Sequence, residues 1–204
     1  MKLISLKFFF ALAVFSTSAQ ATLLLADFRN ESDLPRYGGS GPLVYQNLGA
    51  VIGSGVELDI SHFLSNPTPW WAGSVTANLD PLTSLLILTS QSINPFQTFT
   101  ATLNNIIFSN PGEVITGVSL VSGNLTNTGI TPSISFTENS LLISYAVPNV
   151  AAGDLFFFTG SDAIFQITTG ISAIPEPGSM LAIAGLLGAG TLLRNRRSLA
   201  KETV

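Results

Sequence analysis

Few side chains in this sequence are equipped for chemistry, and they fall in three places. Glu57 and Asp59 stand one residue apart, and His62, the only histidine, follows closely. In a strand, positions i and i+2 face the same side, so both carboxylates would share a face. Such a pair suits acid/base work on a polysaccharide, or a calcium ion. A solvated strand face or loop rim is the plainer reading and the expected one. No G-x-S-x-G elbow accompanies His62, so no catalytic residue is assigned. Trp70 and Trp71 follow Asn66-Pro67-Thr68-Pro69. Adjacent strand residues face opposite ways, so at most one indole enters a core; the other either covers an edge or interface or stacks on a sugar ring as a glycan contact. Asp27, Glu31 and Asp33 sit beside Arg29 and Arg36. They lack the D-x-[DN]-x-[DN]-G spacing of a calcium loop and read as a surface network. No cofactor and no metal ligand is assigned; calcium stays open for an acidic exported domain, without a ligand set.

The charge balance sharpens this. The chain has 204 residues, no cysteine and a formal net charge of −4. Six of its eight cations, Lys2, Lys7, Arg194, Arg196, Arg197 and Lys201, lie near the two ends. Between residues 22 and 174 only Arg29 and Arg36 face ten carboxylates, a formal charge of −8. Nucleic-acid affinity comes from Lys and Arg neutralising phosphates, so that function is excluded. Absent cysteine removes thiol catalysis and disulfide staples alike.

Both ends read as signals. Lys2 and Lys7 precede an apolar run at 8–15 and the small-residue site Ala19-Gln20-Ala21. That is the build of a secretory signal cleaved after Ala21, with the Sec machinery and signal peptidase as partners. At the other end Pro175-Glu176-Pro177 leads into an uncharged run at 180–193 and then Arg194, Arg196 and Arg197. As a helix those 14 residues would span about 21 Å, against about 30 Å for a bilayer core. The single transmembrane-type helix is therefore short, and a transient hold suits it better than a permanent anchor. Arginines beside an apolar span stay cytoplasmic, which leaves the body outside the inner membrane. Pro175 and Pro177 keep Glu176 in an extended stretch, the form a protease or transpeptidase grips.

Pro-Glu-Pro, an apolar run and an arginine cluster, in that order, resemble the PEP-CTERM sorting signal of Gram-negative bacteria. The resemblance covers roughly the last 30 residues. It implies recognition by an exosortase, a membrane-embedded cysteine enzyme, and a bacterium that makes extracellular polysaccharide.

The elements that would carry the middle are strands. Between 22 and 174 no long helical periodicity appears. Short β-branched and aromatic runs alternate with Gly, Pro, Asn and Ser clusters. The expected strands are 23–28, 43–47, 55–60, 73–79, 84–89, 96–108, 117–122, 133–136, 141–147 and 155–168. Phe99, Ala101 and Leu103 alternate with Thr98, Thr100 and Thr102, the pattern of an antiparallel sheet solvated on one face. Residues 137–140 read as a hairpin loop, and Asn94-Pro95 and Asn110-Pro111-Gly112 as turns. The expectation is an all-β antiparallel sandwich, jelly-roll-like, with a barrel as second choice. The domain plan is a signal peptide at 1–21, the sandwich at 22–174 and the sorting tail at 175–204. Functionally this reads as a non-enzymatic cell-surface or matrix protein. A glycan-binding module and, less favoured, a polysaccharide-active enzyme are the alternatives.

Overall fold

The computed structural model describes residues 22–37, 41–65, 73–91, 93–126 and 130–172. The expected signal peptide, Trp70 and Trp71, and the tail from 175 onward, with its apolar run, lie outside them. Among the described residues no helix is long and apolar enough to cross a membrane.

The body is all-β with antiparallel sheets. Its strands are β1 (Leu23–Asp33), β2 (Leu43–Val51), β3 (Phe63–Ser65), β4 (Val75–Asp80), β5 (Leu85–Ser90), β6 (Pro95–Phe96), β7 (Thr98–Phe108), β8 (Glu113–Gly123), β9 (Ser133–Phe136), β10 (Leu141–Ala146), β11 (Phe156–Phe157) and β12 (Asp162–Ile171). Two short 3-10 turns, at Pro35–Tyr37 and Ile60–His62, complete the described elements. One sheet has the order β3-β2-β1-β7-β10-β9, a second β4-β5-β12-β8, and β6 pairs with β11 as a ribbon.

Alternation explains how the sheets bury one face each. In β7, Phe99, Ala101 and Leu103 are buried while Thr98, Thr100 and Thr102 are part-exposed. β10 repeats this with Leu141, Ile143 and Tyr145 inward. These side chains join Leu86, Leu88, Phe165 and Ile167 of the smaller sheet in a single core. Phe158 stacks on Phe96 at 4.2 Å between ring centres and meets Phe99 edge-on at 5.7 Å. Such aromatic pairs add about 0.5–1.5 kcal/mol to simple burial.

Several expected strands end elsewhere than the sequence pattern implies. The run 96–108 is interrupted at Gln97, which sits between β6 and β7, and 155–168 divides into β11 and β12. The run 55–60 is not a strand. Glu57 and Leu58 are both buried, which breaks a two-residue period. Only Leu58 bridges another strand, at Ala77, and a 3-10 turn follows at once. The short β3 is an addition at the edge beside β2.

The described ends of the body emerge at the same end of the sheets. The Thr22 carbonyl accepts from the Ser109 N–H at 2.9 Å, and the Ser172 N–H donates to the Gly112 carbonyl at 2.8 Å. Both contacts fall on the turn from β7 to β8. This is called the near end. At the far end Gln97, with no solvent exposure, holds two loops. Its Oε1 accepts from the Arg36 N–H at 2.8 Å, and its Nε2 donates to the carbonyls of Val150 at 3.1 Å and Asp154 at 2.9 Å. Between the two sheets, buried Asn30 donates to the Val75 carbonyl at 2.7 Å and Ser32 to the Gly73 carbonyl at 2.8 Å.

Candidate functional site

The Glu57 side chain is held by backbone, not by a partner acid. Gly53, Ser54 and Gly55 turn the chain back after β2. This places the Glu57 carboxylate under two donors: the Gly53 N–H reaches Oε1 at 3.1 Å and the Leu79 N–H reaches Oε2 at 2.7 Å. Burial raises the Glu57 pKa above its ordinary value, and the hydrogen bonds from Leu79 and Gly53 oppose that. With both oxygens accepting and only 5 % of the residue exposed, the carboxylate joins the β2 loop to β4.

Asp59 does something different. It is the N-cap of the 3-10 turn Ile60–His62, accepting from the Ser61 N–H at 2.8 Å. Its pKa is lowered, first by the Ser61 hydroxyl and then by the Ser61 N–H, with the His62 charge a smaller cause. His62 Nδ1 lies 3.2 Å from the Asp59 N–H and 3.0 Å from Asp59 Oδ1. The neutral ring accepts from the first; a ring protonated at Nδ1 donates to the second. This reciprocal capping box satisfies donors at the turn's start.

A shallow depression of about 220 Å³ is lined by Asn47, Ala50, Val51, Gly53, Glu57 and His62, among others. Thus Glu57 and His62 share a hollow, but Glu57 and Asp59 are not a facing pair on one strand. The two described flanks of the tryptophan segment are anchored elsewhere on the sheet. Ser65 pairs with Val44, and Gly73 accepts from Ser32, at the Ser32–Leu43 end of β1 and β2. A second hollow of about 410 Å³ lies over Thr102, Asn104, Ser135 and Leu142.

The acids of β1 serve separate contacts, Asp33 Oδ1 accepting from the Leu34 N–H at 2.7 Å and Glu31 meeting Arg29. Arg29 pairs with Glu31 and also donates to Gln46 at 2.9 Å. Among the described residues no three His, Cys, Asp or Glu side chains converge to hold a metal ion.

Asp27 has a role that sequence spacing did not show. The β1–β2 register slips between Ala26 and Phe28, and the β1–β7 register slips between Leu25 and Asp27. Gly49 on β2 has φ +63° and Asn105 on β7 has φ +51°, left-handed values suited to bulges. Asp27, on the strand between them, accepts from the Gly49 N–H at 2.6 Å and from Asn105 Nδ2 at 2.7 Å. One carboxylate thus ties both bulges. Gly49 alone was a local hint; the rest depends on which strands are neighbours.

The sorting segment follows the sheet closely. Ser172 is the last described residue, bonded to Gly112, and Pro175-Glu176-Pro177 begins three residues later. No curated protein and no solved structure matches the chain. The family described as the PEP-CTERM protein-sorting motif matches residues 173–197, which takes in Pro175, Glu176, Pro177, Arg194, Arg196 and Arg197. The chain is thus a PEP-CTERM-bearing protein, of the kind an exosortase sorts.

Proposed function

We propose that this protein is a non-enzymatic component of the cell surface or extracellular matrix, exported, held briefly at the inner membrane by residues 180–193 and delivered when its tail is cut. The observation that carries this is the sorting motif at 173–197, set directly after the last strand. Four residues separate Ser172 from Glu176, so Glu176 is at most about 14 Å from the sheet along an extended chain. The processing enzyme would work against the near end of a folded body. That body is read as a sandwich whose jelly-roll-like crossings, β3 to β4, β5 to β7, β7 to β8, β8 to β9 and β10 to β12, are interspersed with in-sheet hairpins.

The use of both Glu57 oxygens by backbone N–H groups supports the structural over the polysaccharide-cleaving reading. Mass spectrometry of the mature protein, made in a host with an exosortase, is the direct test. The expected product lacks Arg194, Arg196 and Arg197; a product retaining them would overturn tail removal. The same preparation, with Trp70→Ala and Trp71→Ala, tests glycan binding on an array of extracellular polysaccharides. Binding lost in either variant would replace the purely structural role by the glycan-binding one.

A further inference from the structure

The near end also carries an apolar strip that the core does not use. Leu25 pairs in register with Val51 on one side and Ile107 on the other. Val51 is 76 % exposed and Ile107 49 %. Exposed Leu24 adjoins Leu25 in sequence, and exposed Leu48 adjoins Gly49 at the β2 bulge tied by Asp27. Single exposed aliphatics are ordinary. A row running across three neighbouring strands, at the end from which both described ends of the body leave, is not scattered in that way.

We infer that this strip is a membrane-contact surface, through which the near end rests on the interfacial zone of a neutral phospholipid bilayer. The inference rests on the reading that residues 180–193 enter that bilayer. Met180 is eight residues beyond Ser172, which is at most about 29 Å of extended chain. Ser172 is therefore kept within that distance of whatever surface the apolar run enters. The occupant is lipid of low charge because the strip contains no ionisable side chain and the body carries ten carboxylates against two arginines. An anionic surface would repel such a body, and apolar contact alone is indifferent to salt.

The absence of cysteine allows a direct test with the full chain in phosphatidylcholine vesicles. Single cysteines labelled with an environment-sensitive fluorophore are placed at Ile107→Cys on the strip, Ile93→Cys outside it and Ala184→Cys in the apolar run. Val51→Cys repeats the strip measurement should Ile107→Cys disturb β7. The expected result is a blue shift and loss of emission to brominated lipid at the strip and at Ala184→Cys, with Ile93→Cys quenched by aqueous iodide instead. If the strip is quenched by iodide while Ala184→Cys reports lipid, the contact surface is refuted and the tail reading stands. If Ala184→Cys reports water, the tail reading fails and the inference with it. A strip shielded from both quenchers is covered by protein, a second copy or the tail itself, and that too overturns it.

Discussion

The two ends of the β body are fixed by opposite means. At the far end one fully buried amide, Gln97, spends its side-chain donors and acceptor on the backbone of two loops. At the near end a part-exposed carboxylate, Asp27, ties two bulges on adjacent strands. A buried network is costly to interrupt because no water replaces the lost partner. An exposed one is more tolerant. The far end is thus organised for rigidity, whereas the near end keeps aliphatic side chains outside and accommodates the chain's entry and exit.

The largest expected effect comes from Gln97→Ala. It removes the side-chain partner of the Arg36 N–H and of the Val150 and Asp154 carbonyls, in bonds that are part-buried around a fully buried amide. Loss of about 3 kcal/mol is expected from groups costing roughly 1–3 kcal/mol each when left unpaired, read as a lower denaturation midpoint at unchanged slope. A loss below about 1 kcal/mol would show that water reaches these groups and would erase the contrast between the ends. Asp27→Ala should cost less, about 1–2 kcal/mol, since solvent screens and partly replaces its bonds. Its signature is local: amide hydrogen exchange accelerates at Gly49 and Asn105 while Gln97 and Val147 stay protected.

What the sequence made legible follows from how local each feature is. The sorting segment is contiguous, so Pro175-Glu176-Pro177, the apolar run and the arginines are readable without a fold. Alternation in 98–103 and 141–145 depends only on neighbours two residues away, and those strands lie where expected. Glu57 was misplaced because its partner is the Leu79 N–H, supplied by a strand 22 residues away. The Asp27 bulges are a property of register between three strands, and register is invisible until the strands are paired. Gln97 interrupts a β run with a residue that has no strong turn signal, because its reason for being there is buried tertiary contact.

A smaller effect separates the two acids that a strand spacing would set on one face. Burial raises the Glu57 pKa, whereas hydrogen bonds from Ser61 lower that of Asp59. On acidification, carboxyl-carbon NMR should therefore show Glu57 protonating before Asp59, with a wider separation than between an ordinary surface Glu and Asp. The sign for stability also differs. A raised folded pKa means the native state binds the proton more tightly, so the Glu57 contribution is present below its unfolded pKa and is lost as pH rises through the folded one. The Asp59 contribution is present above its unfolded pKa and lost as pH falls through the folded one. Glu57→Gln should abolish the first dependence and leave the second.

The smallest expected change tests whether burial alone makes a polar group valuable. Tyr145 is fully buried, and burial pushes its pKa up to about 12, with the nearby Leu125 backbone opposing this. Its hydroxyl nevertheless makes no hydrogen bond of proper geometry. Gln97 is equally buried and has a partner for both its donor and acceptor groups. If satisfaction, not burial, is what stabilises, Tyr145→Phe should leave stability unchanged or raise it by up to about 1 kcal/mol, because it deletes an unmatched hydroxyl and keeps the ring packed on Phe99. A loss above about 1 kcal/mol would mean that the hydroxyl does bond to Leu125, and that the rigid character of the inward face extends from Gln97 along β10.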